Sequence, residues 1–135
     1  MSWDILLMNV SDNIKSSNDL PHDFKSNLGI SADVLSILSR IVPEIDLHDP
    51  MWGTLEGDGF LIEFNIGDQE PITSITLHIR GSDNAVDIVK RICTNTGWRA
   101  IDFSTGNFID FENNPENGLH VWRTYKNQIV KPLKK

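Results

Sequence analysis

Glu63, His78, Arg80, Trp98 and Asp102 are the residues of this 135-residue chain whose types could do chemistry together. A carboxylate, an imidazole and a guanidinium on one surface can move a proton or hold an anion. Cross-strand pairing, however, commonly places Glu, His and Arg toward water on the solvated face of a sheet. We therefore expect no catalytic residue here. Recognition fits better, because a Trp beside an Arg is the kind of anchor that protein interfaces favour. The alternative is a small enzyme or ligand-binding domain using His78 with Glu63 or Asp102.

Other chemistries find less support. His22, His48, His78 and His120 are scattered and show no pair with the short spacing of a zinc site. Asp46-Leu47-His48-Asp49 is dense but reads as a solvated acidic linker, and the oxygens from Asp102 to Asp110 miss the calcium-loop spacing. No metal and no cofactor are expected. Cys93 lies within an apolar helical stripe, where a free Cys acts as a small core residue. Ser104 and Thr105 lack the flanks of a nucleophile elbow. Gly53, Gly57 and Gly59 precede a strand and open no helix, so they form no phosphate loop.

The elements that must position these residues centre on positions 52–111, which read strand, turn, strand, helix, strand, turn, strand. Phe60, Ile62, Phe64 and Ile66 alternate with Leu61, Glu63 and Asn65, a half-buried strand. Residues 67–71 make a turn. Ile75, Leu77 and Ile79 then alternate with Thr76, His78 and Arg80. If the apolar sets share a core face, Glu63, His78 and Arg80 share the other. Gly81-Ser82-Asp83 ends that strand and caps a helix with a Val86, Val89, Ile92, Cys93 stripe, closed by Gly97. Trp98–Phe103 is the next strand. Placing Ile101 and Phe103 on the core face turns Trp98 and Asp102 outward, beside Glu63, His78 and Arg80. Residues 104–107 read as a hairpin turn into a strand at 108–111.

Before this centre, Ile5-Leu6-Leu7-Met8 is a buried strand or a short helix, which periodicity cannot separate in so short a run. Residues 11–30 look like a long surface connection of the functional or mobile kind. Ser31 suits a helix N-cap, with Val34, Leu35, Leu38, Ile41 and Val42 as the buried stripe and Pro43 as the stop. Residues 43–50 form an acidic linker. After the centre, Leu119, Trp122, Lys126 and Ile129 suit a terminal helix, followed by a basic tail. The element order is strand, helix, strand, strand, helix, strand, strand, helix. The expected fold is α+β, a single antiparallel sheet in one domain spanning 1–135, with helices packed mainly on one face. The other face stays open for a partner or for a second copy, so a homodimer is a further expectation.

Composition sets the outer bounds. Hydrophobic content of 39% and charged content of 23% are ordinary for a globular chain. The single cysteine precludes an intramolecular disulfide and suits a reducing compartment. Residues 1–9 lack a basic n-region and carry an apolar run of only four residues. Neither a secretory signal nor a membrane span is expected there, and the chain is read as cytoplasmic. Residues 1–119 hold all 19 Asp+Glu against 7 Lys+Arg, a net of −12, whereas residues 120–135 carry +5. An acidic body argues against nucleic acid, which needs a basic footprint, and favours a basic protein partner.

Leu77-His78-Ile79-Arg80-Gly81 and Gly97-Trp98-Arg99-Ala100-Ile101-Asp102-Phe103-Ser104-Thr105-Gly106 carry a family pattern. Across residues 52–125 the chain resembles small bacterial immunity proteins of polymorphic toxin systems. The resemblance implies a non-enzymatic inhibitor that binds one cognate toxin domain in the cytoplasm, and it carries over no catalytic residue. An acidic inhibitor can cover the basic face of a nuclease toxin. The first expected contact surface is Glu44, Asp46, Asp49, Glu56 and Asp58. The second is the Glu63, His78, Arg80, Trp98, Asp102 face.

Overall fold

The structure, a computed structural model, describes residues 2–111. Its sheet is built by alternation. In β1 (Trp3–Met8), buried Trp3, Ile5 and Leu7 alternate with half-buried Asp4, Leu6 and Met8, which settles the first segment as a strand. β2 spans Trp52–Gly57, β3 Phe60–Asn65, β4 Ser74–Gly81 and β5 Arg99–Asp102. β1 and β4 run antiparallel with Trp3 opposite Ile79, Ile5 opposite Leu77 and Leu7 opposite Ile75. β3 extends this set, with Ile62 opposite Ile79 and Phe64 opposite Leu77. Each such side chain contributes about 1.5–3 kcal/mol on burial. A slip of one residue would turn the whole set to water, so the register is strongly specified.

The strand order is β2-β3-β4-β1-β5, with every pairing antiparallel. Two helices cover one face: α1 (Ser31–Ile41) and α2 (Ala85–Thr96). Their buried stripes, Val34, Leu38 and Ile41 and then Val86, Val89 and Ile92, join Trp3, Ile5, Phe64 and Leu77 in one apolar cluster. The fold is thus α+β, a single antiparallel sheet with its helices on one side.

Several local expectations need correction. Trp52–Gly57 is an additional strand whose inward side offers only Gly53 and Leu55, too little apolar periodicity to read. Ser31 is the first residue of α1 rather than its cap. Ile30 takes the cap position without a side-chain bond, and the Ser31 N–H donates to Glu70 Oε1 at 2.7 Å. Residues 108–111 form no strand. Phe108 makes one isolated bridge to Ile101, and Ile109 donates to the Ala100 carbonyl at 2.9 Å. The long connection at 11–30 is fastened to the sheet: Leu28 donates to Ile72 at 2.8 Å and Ile72 to Gly29 at 2.9 Å. Gly97 does close α2 in the left-handed region, at φ 79°. The terminal helix expected around Leu119–Ile129, and the tail after it, lie outside the described residues.

Both edges of the sheet are partly guarded, as unpaired strand edges invite aggregation. At β2, Asp46 and Thr54 exchange backbone bonds of 2.7 and 3.0 Å. At β5, the segment 107–109 performs the same service.

Candidate functional site

Directly opposed residues of antiparallel strands project from the same face. The face away from the helices therefore carries a polar row running across the molecule. Asp46 is opposite Thr54, Thr54 opposite Glu63, Glu63 opposite His78, and His78 opposite Asp4. A parallel row holds Trp52, Asn65, Thr76, Leu6 and Ile101.

His78 is the most constrained member. Its Nδ1 lies 2.9 Å from Asp4 Oδ1, a contact in which the carboxylate oxygen accepts and the ring nitrogen donates, and Nε2 takes no part in it. Trp52 stacks on the same imidazole with centroids 5.9 Å apart and planes inclined by 23°. Trp52 remains 37% exposed, so the stacked pair holds the indole in place without hiding it. Arg80 pairs with Glu63 along the diagonal of the register.

Glu63, His78 and Arg80 thus share a face as the alternation requires. Trp98 and Asp102 do not join them. Asp102 lies opposite Ile5 and Ala100 opposite Leu7, so the parity of this strand is the reverse of the expected one. Trp98 and Asp102 are 6% and 2% exposed, whereas Phe103 is 54% exposed. The physical reason is local. Asp102 organises the turn after β5: its Oδ1 accepts from Ser104 N at 2.8 Å and Ser104 Oγ at 2.7 Å, its N–H donates to the Asn107 carbonyl at 2.9 Å, and its Oδ2 is buried without a partner. Ile101 is then turned to the other face, where the Phe108 bridge lies against it.

The five acidic candidates, Glu44, Asp46, Asp49, Glu56 and Asp58, are all exposed. Asp46 Oδ1 accepts from His48 N at 2.9 Å and Asp49 Oδ1 from Met51 N at 3.0 Å, so both brace the linker turn. The bridge from Asp46 to Thr54 joins this linker to the sheet, so the first expected surface runs on into the Glu63, His78 and Arg80 part of the second, without Trp98 and Asp102. Asp4 and Trp52 are the members that sequence reasoning missed. The signal available for them was the register of β1 and β2, which only the paired sheet reveals.

Away from this face, burial pushes the Cys93 thiol up to about 12, partly offset by the nearby Arg99 guanidinium. A cleft of about 450 Å³ lies beside Cys93, lined by Lys15, Lys90, Thr94, Arg99, Phe108 and Phe111 among others. A second, of about 310 Å³, lies between Met8, Phe24 and Thr73. His78 lines neither. Among the described residues, no group of three or more His, Cys, Asp and Glu could hold a metal ion, and no helix is long and apolar enough to cross a membrane. Comparison with known proteins found no matching family, no matching curated protein and no matching solved structure.

Proposed function

We propose that this chain is an immunity-type binding protein that neutralises a basic bacterial toxin domain by covering it in the cytoplasm. The observation that carries the reading is the continuous outer surface. Trp52 stands on His78 as a fixed aromatic anchor, with Asp46, Glu63 and Asp4 in one row and Glu44, Asp49, Glu56 and Asp58 beside it. A central aromatic surrounded by polar groups is how interfaces concentrate binding energy, and a surplus of carboxylates steers a cationic partner. In this reading the chain catalyses nothing and masks the toxin's functional face.

The test begins with affinity purification from the native host at low and moderate salt. The expected result is one basic protein retained in stoichiometric amount, whose toxicity the chain suppresses on coexpression. Trp52→Ala and Glu56→Lys should each abolish retention at moderate salt while leaving the fold intact by circular dichroism. A partner held equally well by both variants would remove this surface from the reading. The competing use of His78 as a general base now has Asp4 as the orienting carboxylate, in place of Glu63 or Asp102. It requires an activity lost in His78→Ala. A homodimer through the open face would instead show a concentration-dependent mass.

A further inference from the structure

The acidic surface occupies the β2 half of the sheet, and the opposite edge is electrically different. Of the seven Lys and Arg among the described residues, Lys15, Lys90 and Arg99 line one and the same cleft beside β5 and α2, with one carboxylate, Asp110. Convergence of three cations in so acidic a body has no part in holding a basic partner. The three cations outnumber the one carboxylate of the cleft, so its local charge is positive and favours an anion. Arg99 is held rigidly. Its Nη1 donates to the Ser11 carbonyl at 3.0 Å and to the Ile14 carbonyl, and its Cζ lies 3.7 Å from the centroid of Phe108. A guanidinium fixed in this way loses little freedom when a ligand arrives. Phe108, Ile109 and Phe111 supply apolar lining beside the charges. At about 450 Å³ the cleft is in the size range of small-molecule sites, which combine apolar walls with a few convergent polar groups.

We infer that this cleft binds a small organic anion bearing an aromatic ring, with the ring against Phe108 and Phe111 and the charge held by Lys15, Lys90 and Arg99. The site is independent of the toxin-binding reading and lies at the other edge of the sheet.

Phenyl phosphate is a suitable probe, compared with phenylacetate, inorganic phosphate and neutral benzyl alcohol on the full chain, by calorimetry and by amide chemical-shift titration. Phenyl phosphate or phenylacetate should saturate with a dissociation constant on the order of 10⁻⁴ M, shifting the amides of residues 90–94 and 108–111. Which of the two binds tighter identifies the source of the charge as phosphate or carboxylate. Inorganic phosphate and benzyl alcohol should each bind about 10-fold more weakly or worse, an anion or a ring alone being half of the ligand. Lys15 and Lys90 are both exposed, so the double variant Lys15→Gln, Lys90→Gln should keep its thermal midpoint and weaken binding about 10-fold. Lack of saturation by both aromatic anions at about 10 mM, far above the expected dissociation constant, would overturn the inference. Binding that the double variant leaves unchanged would also overturn it. Neither result bears on the Trp52 surface, whose own variants report on it separately.

Discussion

At the scale of single residues, His78 is a support of the outer face. Asp4 Oδ1 holds its Nδ1 and Trp52 rests on its ring. If the proposed toxin-binding function holds, Trp52→Ala lowers partner affinity by about 2 kcal/mol or more, the size of a hot-spot loss. His78→Ala should cost less and act by loosening the indole, which a change in Trp fluorescence anisotropy would register. Cys93 makes a second prediction. Folding raises its pKa from the ordinary 9.0 to about 12, so the fold favours the neutral thiol. That contribution is complete below about pH 9 and is lost as the pH climbs through about 12. Denaturation titrations should accordingly show stability falling in alkaline solution, less steeply in Cys93→Ala. Ellman's reagent should react with the native thiol far more slowly than with the unfolded one. The shared face of Glu63, His78 and Arg80 was legible in the sequence because their strands alternate cleanly. Asp102 was not, since a four-residue strand with Ala100 inward and Ile101 outward carries the opposite apparent parity. Asp4 stayed hidden beside an unbroken apolar run, Ile5-Leu6-Leu7-Met8.

At the scale of elements, the helices follow from their apolar stripes, while their ends depend on distant residues. α1 begins on a carboxylate supplied by the β3–β4 connection, the Glu70 contact to the Ser31 amide. A negative group at a helix N-terminus both accepts from a free N–H and opposes the positive end of the helix dipole. Glu70→Ala should cost about 1 kcal/mol, and Glu70→Gln less, in urea denaturation. No local pattern could have shown this cap, because its two partners are 39 residues apart. The end of β4 makes a sharper prediction. Gly81 has φ 100°, and a Cβ there would come within 2.2 Å of the Gly59 carbonyl oxygen and 2.8 Å of Phe60 Cα. Both are backbone atoms and cannot step aside. Gly81→Ala should destabilise by about 1–3 kcal/mol through strain alone, with the β2–β3 turn losing amide protection first.

At the scale of the molecule, charge is divided between the two sheet edges: carboxylates gather by β2, and the cationic cleft lies by β5. Under the proposed function, association with the basic partner should be fast at low ionic strength and slow as salt rises toward the range where the screening length is about 8 Å. Stopped-flow association rates should fall with salt while dissociation rates change little. The overall architecture was legible, because alternation and amphipathic stripes are read over many residues and tolerate local errors. The continuity of the acidic linker with the sheet was not, since it rests on one backbone bridge between Asp46 and Thr54.

The position of β1 has a consequence of another kind. β1 precedes the other four strands of the sheet in the chain, yet it lies between β4 and β5 and pairs with both. Residues 3–8 must wait for residues 74–81 to be synthesised before they find their first neighbour, and for residues 99–102 before they find the second. Until residues 74–81 emerge, the growing chain can assemble only the β2-β3 hairpin of this sheet, with β1 unpaired. Such distant pairing slows folding and leaves a nascent chain in need of protection. It also makes residues 2–9 a natural splitting point: a chain lacking them is a sheet with a slot in its middle, and a synthetic peptide of that sequence is the piece that fills it.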